Sequence, residues 1–70
     1  MPFVNIRIVK EVIEDDPAGK KAAITKKVTE AIAGTAGISE EAVWVVFEEV
    51  SEKDWFVGTT SVEEMRAEQS

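Results

Sequence analysis

Seventy residues carry fourteen acidic and eight basic side chains, a net charge of −6, with no cysteine and no histidine. That composition excludes disulfide staples, structural zinc, thiolate chemistry and Cys/His nucleophile pairs, and the acidic balance argues against a nucleic-acid partner. A chain this short makes one domain at most, residues 1–70, and buries too little surface to be comfortable alone, so association is the remaining means of support. No apolar run is long enough to span a membrane and no charged-then-apolar leader opens the chain, so a cytoplasmic location is the expectation.

In chain order, the first notable residue is Pro2, directly after the initiator methionine. A methionine followed by a small residue is normally trimmed, and trimming here would expose a secondary amine. Such an amine has a reference pKa near ~8, which an apolar pocket lowers by disfavouring the charged form. It is then a competent base at neutral pH. Residues 3–9, Phe-Val-Asn-Ile-Arg-Ile-Val, read as a strand with β-branched residues and no breaker. Residues 10–16 are charged and irregular and read as a loop.

Asp16-Pro17 is a strong helix start, with aspartate suited to the N-cap and proline to the first helical position. Ile24, Val28, Ala31 and Ile32 recur at helical spacing as one apolar stripe. Gly34 and Gly37 bracket the helix end. Lys20, Lys21, Lys26 and Lys27 all fall on this helix and read as a solvated face. After the short turn Ser39-Glu40-Glu41 comes a second strand over residues 42–50.

Strand, helix and strand of this length form a crossover with the strands parallel. One helix covers one face of a two-stranded sheet, yet Trp44 and Val46 point one way while Val43, Val45 and Phe47 point the other. The chain has no second long helix, so a partner subunit is the economical cover. The last third reads as a short hairpin arm, Trp55 to Thr60, turned at Gly58. A final helical turn over residues 61–66 follows, with Ser61 as cap and Glu64 closing a capping box.

The chain resembles the small-subunit 4-oxalocrotonate tautomerases. The similarity is carried by Met1-Pro2 before a short strand, by Lys27-Val28-Thr29-Glu30-Ala31-Ile32 in the helix, by the apolar second strand followed by Glu49, and by the arm Trp55-Phe56-Val57-Gly58. The resemblance implies an α/β fold: a β-α-β unit with two parallel strands, one long helix and a C-terminal hairpin arm, assembled as a homo-oligomer, expected to be a hexamer. It also implies an isomerase without cofactor or metal, in which Pro2 is the general base acting on a small enol or unsaturated keto acid. The aromatic wall of the pocket falls on Trp55.

The departures from the family pattern matter as much. The family's second-strand arginine falls on Trp44. Its loop arginine falls on Val12 when aligned from the strand and on Asp16 when aligned from the helix, because this loop is about four residues longer. Neither tryptophan nor valine nor aspartate gives the bidentate carboxylate grip of a guanidinium.

Enolate charge must still be stabilised, and the candidate substrate-binding cations are Arg7 on the first strand and Lys10 at its end, with backbone N–H groups of the arm as a third source. Against these stand plainer readings. Arg7 could pair with Glu48 or Glu49, Lys10 could be a solvated loop residue, and Trp44 and Trp55 could be packing residues. At the level of function the alternatives are a non-catalytic or vestigial tautomerase-fold oligomer, or one subunit of a hetero-oligomer that borrows its arginines.

Overall fold

The structure, a computed structural model, describes residues 1–69, so Ser70, the last residue of the expected domain, lies outside them. Strand β1 spans Phe3–Val9 and strand β2 spans Trp44–Val50. They pair in parallel, with Phe3 opposite Trp44, Asn5 opposite Val46, Arg7 opposite Glu48 and Val9 opposite Val50. Helix α1, Pro17–Ala36, makes the crossover between them. The C-terminal arm is the antiparallel pair β3, Phe56–Val57, and β4, Thr60–Ser61, followed by helix α2, Val62–Gln69.

Local sequence chemistry sets these boundaries. Asp16 caps α1 by accepting the Gly19 N–H on Oδ1 at 3.2 Å, and Pro17 occupies the first turn, where a missing N–H costs nothing. At the other end Gly37 adopts φ 70°, the left-handed conformation that lets its N–H return to the Ala33 carbonyl at 2.9 Å. Gly58 turns the arm at φ 64°. Ser61 is buried and its Oγ accepts the Glu64 N–H at 3.2 Å, which caps α2. That helix runs eight residues, longer than the single turn expected.

Two expectations need correction. The second strand begins at Trp44 and not at residue 42, because Glu40–Ala42 form a 3-10 turn capped by Ser39, whose Oγ accepts the Glu41 N–H at 3.2 Å. Residues 10–16 are not an irregular loop throughout, because Lys10–Ile13 form a short 3-10 turn. Its physical reason is Ile13, only 3% exposed, which the turn folds inward while Val12 faces solvent.

The layering explains what the fold leaves undone. The extents are 43 × 25 × 16 Å. A helix with its side chains is roughly 10–12 Å across, so a 16 Å slab holds one helix and one sheet with no third layer. Val4, Ile6, Ile8, Val45 and Phe47 are half-buried on the α1 side, where Lys21 crosses the seam to reach Glu49 at 3.1 Å and the Phe47 ring at 6.0 Å. The opposite face carries Phe3, Trp44 and Val46 at 61%, 55% and 40% exposure. Buried apolar side chains among the described residues are Val9, Ile13 and Ala33 alone.

The accessible surface is 5019 Å², against about 4,300 Å² for a compact monomer of this mass. The radius of gyration is 15.0 Å, against about 11 Å for a compact chain of this length. The excess is the open sheet face and the protruding arm.

Candidate active site

Pro2 stands at the head of β1, half-buried, with its carbonyl fixed by the Trp44 N–H at 3.1 Å. This bond is the first rung of the parallel ladder and fixes the peptide group just before the strand. Met1 beyond it is 83% exposed.

A cleft of about 480 Å³ opens at the other end of the sheet, lined by Arg7, Glu48, Val50, Asp54, Trp55 and Phe56. Its floor is the uncovered sheet face, where alternation puts Arg7, Glu48 and Val50 on one side. Its wall is the arm. Arg7 and Trp55 therefore meet in one cleft. Pro2 does not join them, because five residues of strand at ~3.3 Å each put it about 16 Å away from Arg7 along β1. Lys10 begins the 3-10 turn, is exposed, and is not among the lining residues.

Arg7 is engaged with the neighbouring strand: its Nη2 lies 3.4 Å from Glu48 Oε2. Glu48 Oε1 meanwhile accepts from Asn5 Nδ2 at 2.6 Å. Both carboxylate oxygens thus have donors from β1, which orients Glu48 against the guanidinium. Of the positions to which the resemblance assigns the family arginines, Trp44 lies on the exposed sheet face, Val12 on the solvent side of the 3-10 turn, and Asp16 is occupied with capping α1.

The arm is tied down by the segment that precedes α1. A Glu11 carboxylate oxygen accepts the Glu52 N–H at 2.9 Å, Arg66 Nη2 reaches the Glu11 carbonyl at 3.5 Å, and Arg66 Nε lies 3.7 Å from Glu52 Oε1. The Trp55 carbonyl accepts the Val62 N–H at 2.8 Å, so α2 anchors the residue that walls the cleft. Partial desolvation pushes the Glu11 carboxyl up, but the Glu52 and Glu11 N–H groups and the charges of Lys10 and Arg66 together hold it below its ordinary value. Asp15 is likewise lowered, chiefly by its hydrogen bond from Lys20.

Sequence reasoning picked out Arg7 and Trp55 but not Asp54, Phe56 or Val50 as cleft residues, and it missed the Glu11–Arg66 tie. Period-two alternation from Arg7 across to Glu48 and Val50 was legible once the register was known. The tie between residues 11, 52 and 66 left no sequence signal, since it joins three separate segments. Among the described residues no group of three or more His, Cys, Asp or Glu could hold a metal ion, and no helix is long and apolar enough to cross a membrane.

A parallel β-α-β unit with a residue held at the strand head and a hairpin arm walling a cleft is the architecture of small tautomerase subunits. The chain belongs to the tautomerase family: the family described as tautomerase enzyme matches residues 2–65. It is 36% identical over its full length, and the full length of the relative, to a probable tautomerase of Dickeya dadantii (strain 3937).

Among solved structures it is similar to TomN, a 4-oxalocrotonate tautomerase homologue in the tomaymycin biosynthetic pathway. The TM-score is 0.81 and the identity 35%, over 99% of this chain and 100% of that one. It shares its fold with DmpI from Helicobacter pylori, at a TM-score of 0.77 and 22% identity over 94% and 97% of the two chains. The expected family and fold are both borne out, and membership supports tautomerase activity in general.

Proposed function

We propose that this chain is a tautomerase whose general base is the secondary amine of Pro2, exposed when Met1 is removed, and whose active site is completed only when copies of the chain associate. The observation that carries this reading is the separation of parts. The strand head with Pro2 lies about 16 Å from Arg7 in the cleft, too far for one small substrate to touch both. A second copy that brings its cleft to this Pro2 solves that problem, and it also covers the apolar sheet face that the chain leaves bare. The symmetric hexamer implied by the resemblance is such an arrangement.

In this reading the neutral amine takes a proton from an enol hydroxyl or from the carbon next to a carbonyl, and returns it to the other end of the conjugated system. Backbone N–H groups of the arm are the donors for the developing oxyanion, while Arg7 and Trp55 line the part of the pocket that holds the rest of the substrate and excludes water. Lys10 is a secondary candidate, reachable only from another copy. The substrate is a small enol or unsaturated keto acid with less negative charge than a dicarboxylate.

The test uses protein shown by mass spectrometry to start at Pro2, assayed for ketonisation of phenylpyruvate enol, with the dicarboxylate 2-hydroxymuconate as the poorer comparison substrate. Activity is expected in the mature protein and a loss of one to several orders of magnitude in Pro2→Ala, the scale of losing a general base. Equal activity in the two proteins would overturn the assignment of the base.

A further inference from the structure

We infer that Glu48 is a specificity-determining residue: by occupying Arg7 it makes the cleft take the uncharged or ammonium-bearing end of a substrate and turn away a second carboxylate. This deepens the proposed function and rests on the cleft being part of the catalytic site.

An arginine on a mostly apolar strand, opening into a cleft beside an aromatic wall, would by itself be a carboxylate receptor. Here it is not left to itself. Glu48 is its direct cross-strand partner, and the two side chains lie 3.4 Å apart. Asn5, two residues earlier on the same strand face, holds the other carboxylate oxygen at 2.6 Å and so keeps Glu48 turned toward the guanidinium.

The charged residues lining the cleft are Arg7, Glu48 and Asp54, one cation against two anions. An incoming carboxylate therefore meets a net negative lining in which the single cation is already compensated. An uncharged ring packs against Trp55 and Phe56 without that penalty, and an ammonium gains from both the carboxylates and the aromatic faces. The Arg7 and Glu48 side chains are 62% and 47% exposed, so water and salt weaken the pair and the expected discrimination is several-fold, not thousand-fold.

The experiment compares kcat/KM at low salt for three arylpyruvate enols that differ only in the para substituent: uncharged, aminomethyl and carboxylate. The wild-type protein is expected to use the carboxylate compound at least about fivefold less well than the uncharged one, with the aminomethyl compound equal or better. Glu48→Gln removes the competing charge and should raise the carboxylate compound relative to the uncharged one by about twofold to fivefold, and adding Arg7→Ala should cancel that gain. Asp54→Asn, at an exposed position outside the strand pair, should shift the same ratio in the same direction, so the inference stands exposed even if Glu48→Gln fails to fold.

A wild-type preference for the carboxylate compound would overturn it, and so would a ratio unmoved by both substitutions. The same three ratios read as dissociation constants on Pro2→Ala protein, by quenching of tryptophan fluorescence, report the cleft without the base. A Pro2→Ala variant that is fully active would refute the proposed base while leaving this order of ligands to be judged separately.

Discussion

Pro2 illustrates how much a single position depends on what immediately surrounds it. Its carbonyl is locked to the Trp44 N–H, so replacing its ring with alanine leaves the strand-head hydrogen bond intact and exchanges the rigid secondary amine for a freely rotating primary one. The Pro2→Ala protein should therefore stay folded and assembled while losing turnover, which circular dichroism alongside the ketonisation assay would check.

Arg7 has a different profile. Since it is paired with Glu48, Arg7→Ala should change the ratio of dicarboxylate to monocarboxylate kcat/KM by less than about threefold. A strong wild-type dicarboxylate preference that disappears in Arg7→Ala would show instead that this arginine acts as a carboxylate clamp despite Glu48.

Among the elements, the arm depends on polar ties from a distant segment. The 3-10 turn Lys10–Ile13 contributes Glu11, which accepts the Glu52 N–H just before the arm begins. Glu11→Ala should leave β1, β2 and α1 in place but loosen the arm. Faster hydrogen exchange across residues 52–62 is expected, with a KM rise of several-fold and a smaller change in kcat; unchanged exchange there would refute the tie.

Glu11 and Asp15 both have carboxyls below their ordinary values, so the sign of their pH effect follows directly. Each contributes stability that is present above the unfolded-state value and lost as pH falls through the lower folded-state value. Loosening from these two groups should begin only below about pH 4.5, and thermal melts between pH 7 and pH 5 should be flat on their account. The long helix is set by its ends. Asp16→Ala is expected to cost about 1 kcal/mol and Gly37→Ala a similar amount, one through a lost cap and the other through a forced positive φ.

The whole molecule is a two-layer slab that exposes more surface than a compact chain of its mass should. Three buried apolar side chains among the described residues are too few to hold such a chain by hydrophobic burial alone. Self-association through Phe3, Trp44 and Val46 is the expected remedy. Each large apolar side chain moved fully from water to an interior contributes roughly 1.5–3 kcal/mol, and symmetry repeats the gain at every copy. Sedimentation should find an oligomer at micromolar concentration, expected to be a hexamer. Trp44→Glu should both dissociate it and abolish activity, because the proposed site is shared between copies. A folded, active monomer would contradict the composite site altogether.

Much of this was legible in the amino-acid sequence because it depends on neighbours in the chain. Asp16-Pro17 and Gly37 act within one turn of α1, alternation in residues 3–9 and 44–50 is a property of the strand itself, and Gly58 bends the arm through its own φ. The same local logic exposed the unburied sheet face, since one helix cannot cover two sides.

What only the tertiary structure decided is everything that rests on register and on separate segments meeting. A shift of one residue between β1 and β2 would have placed Arg7 opposite Phe47 or Glu49 in place of Glu48. The 3-10 turn that buries Ile13 formed where charge suggested a loop, because burying one isoleucine outweighs the local preference of its polar neighbours. The distance between Pro2 and the cleft follows from the direction of a rigid strand and the side on which the arm folds back. The resemblance to the family named both parts of the candidate site, but geometry alone put them at opposite ends of one sheet.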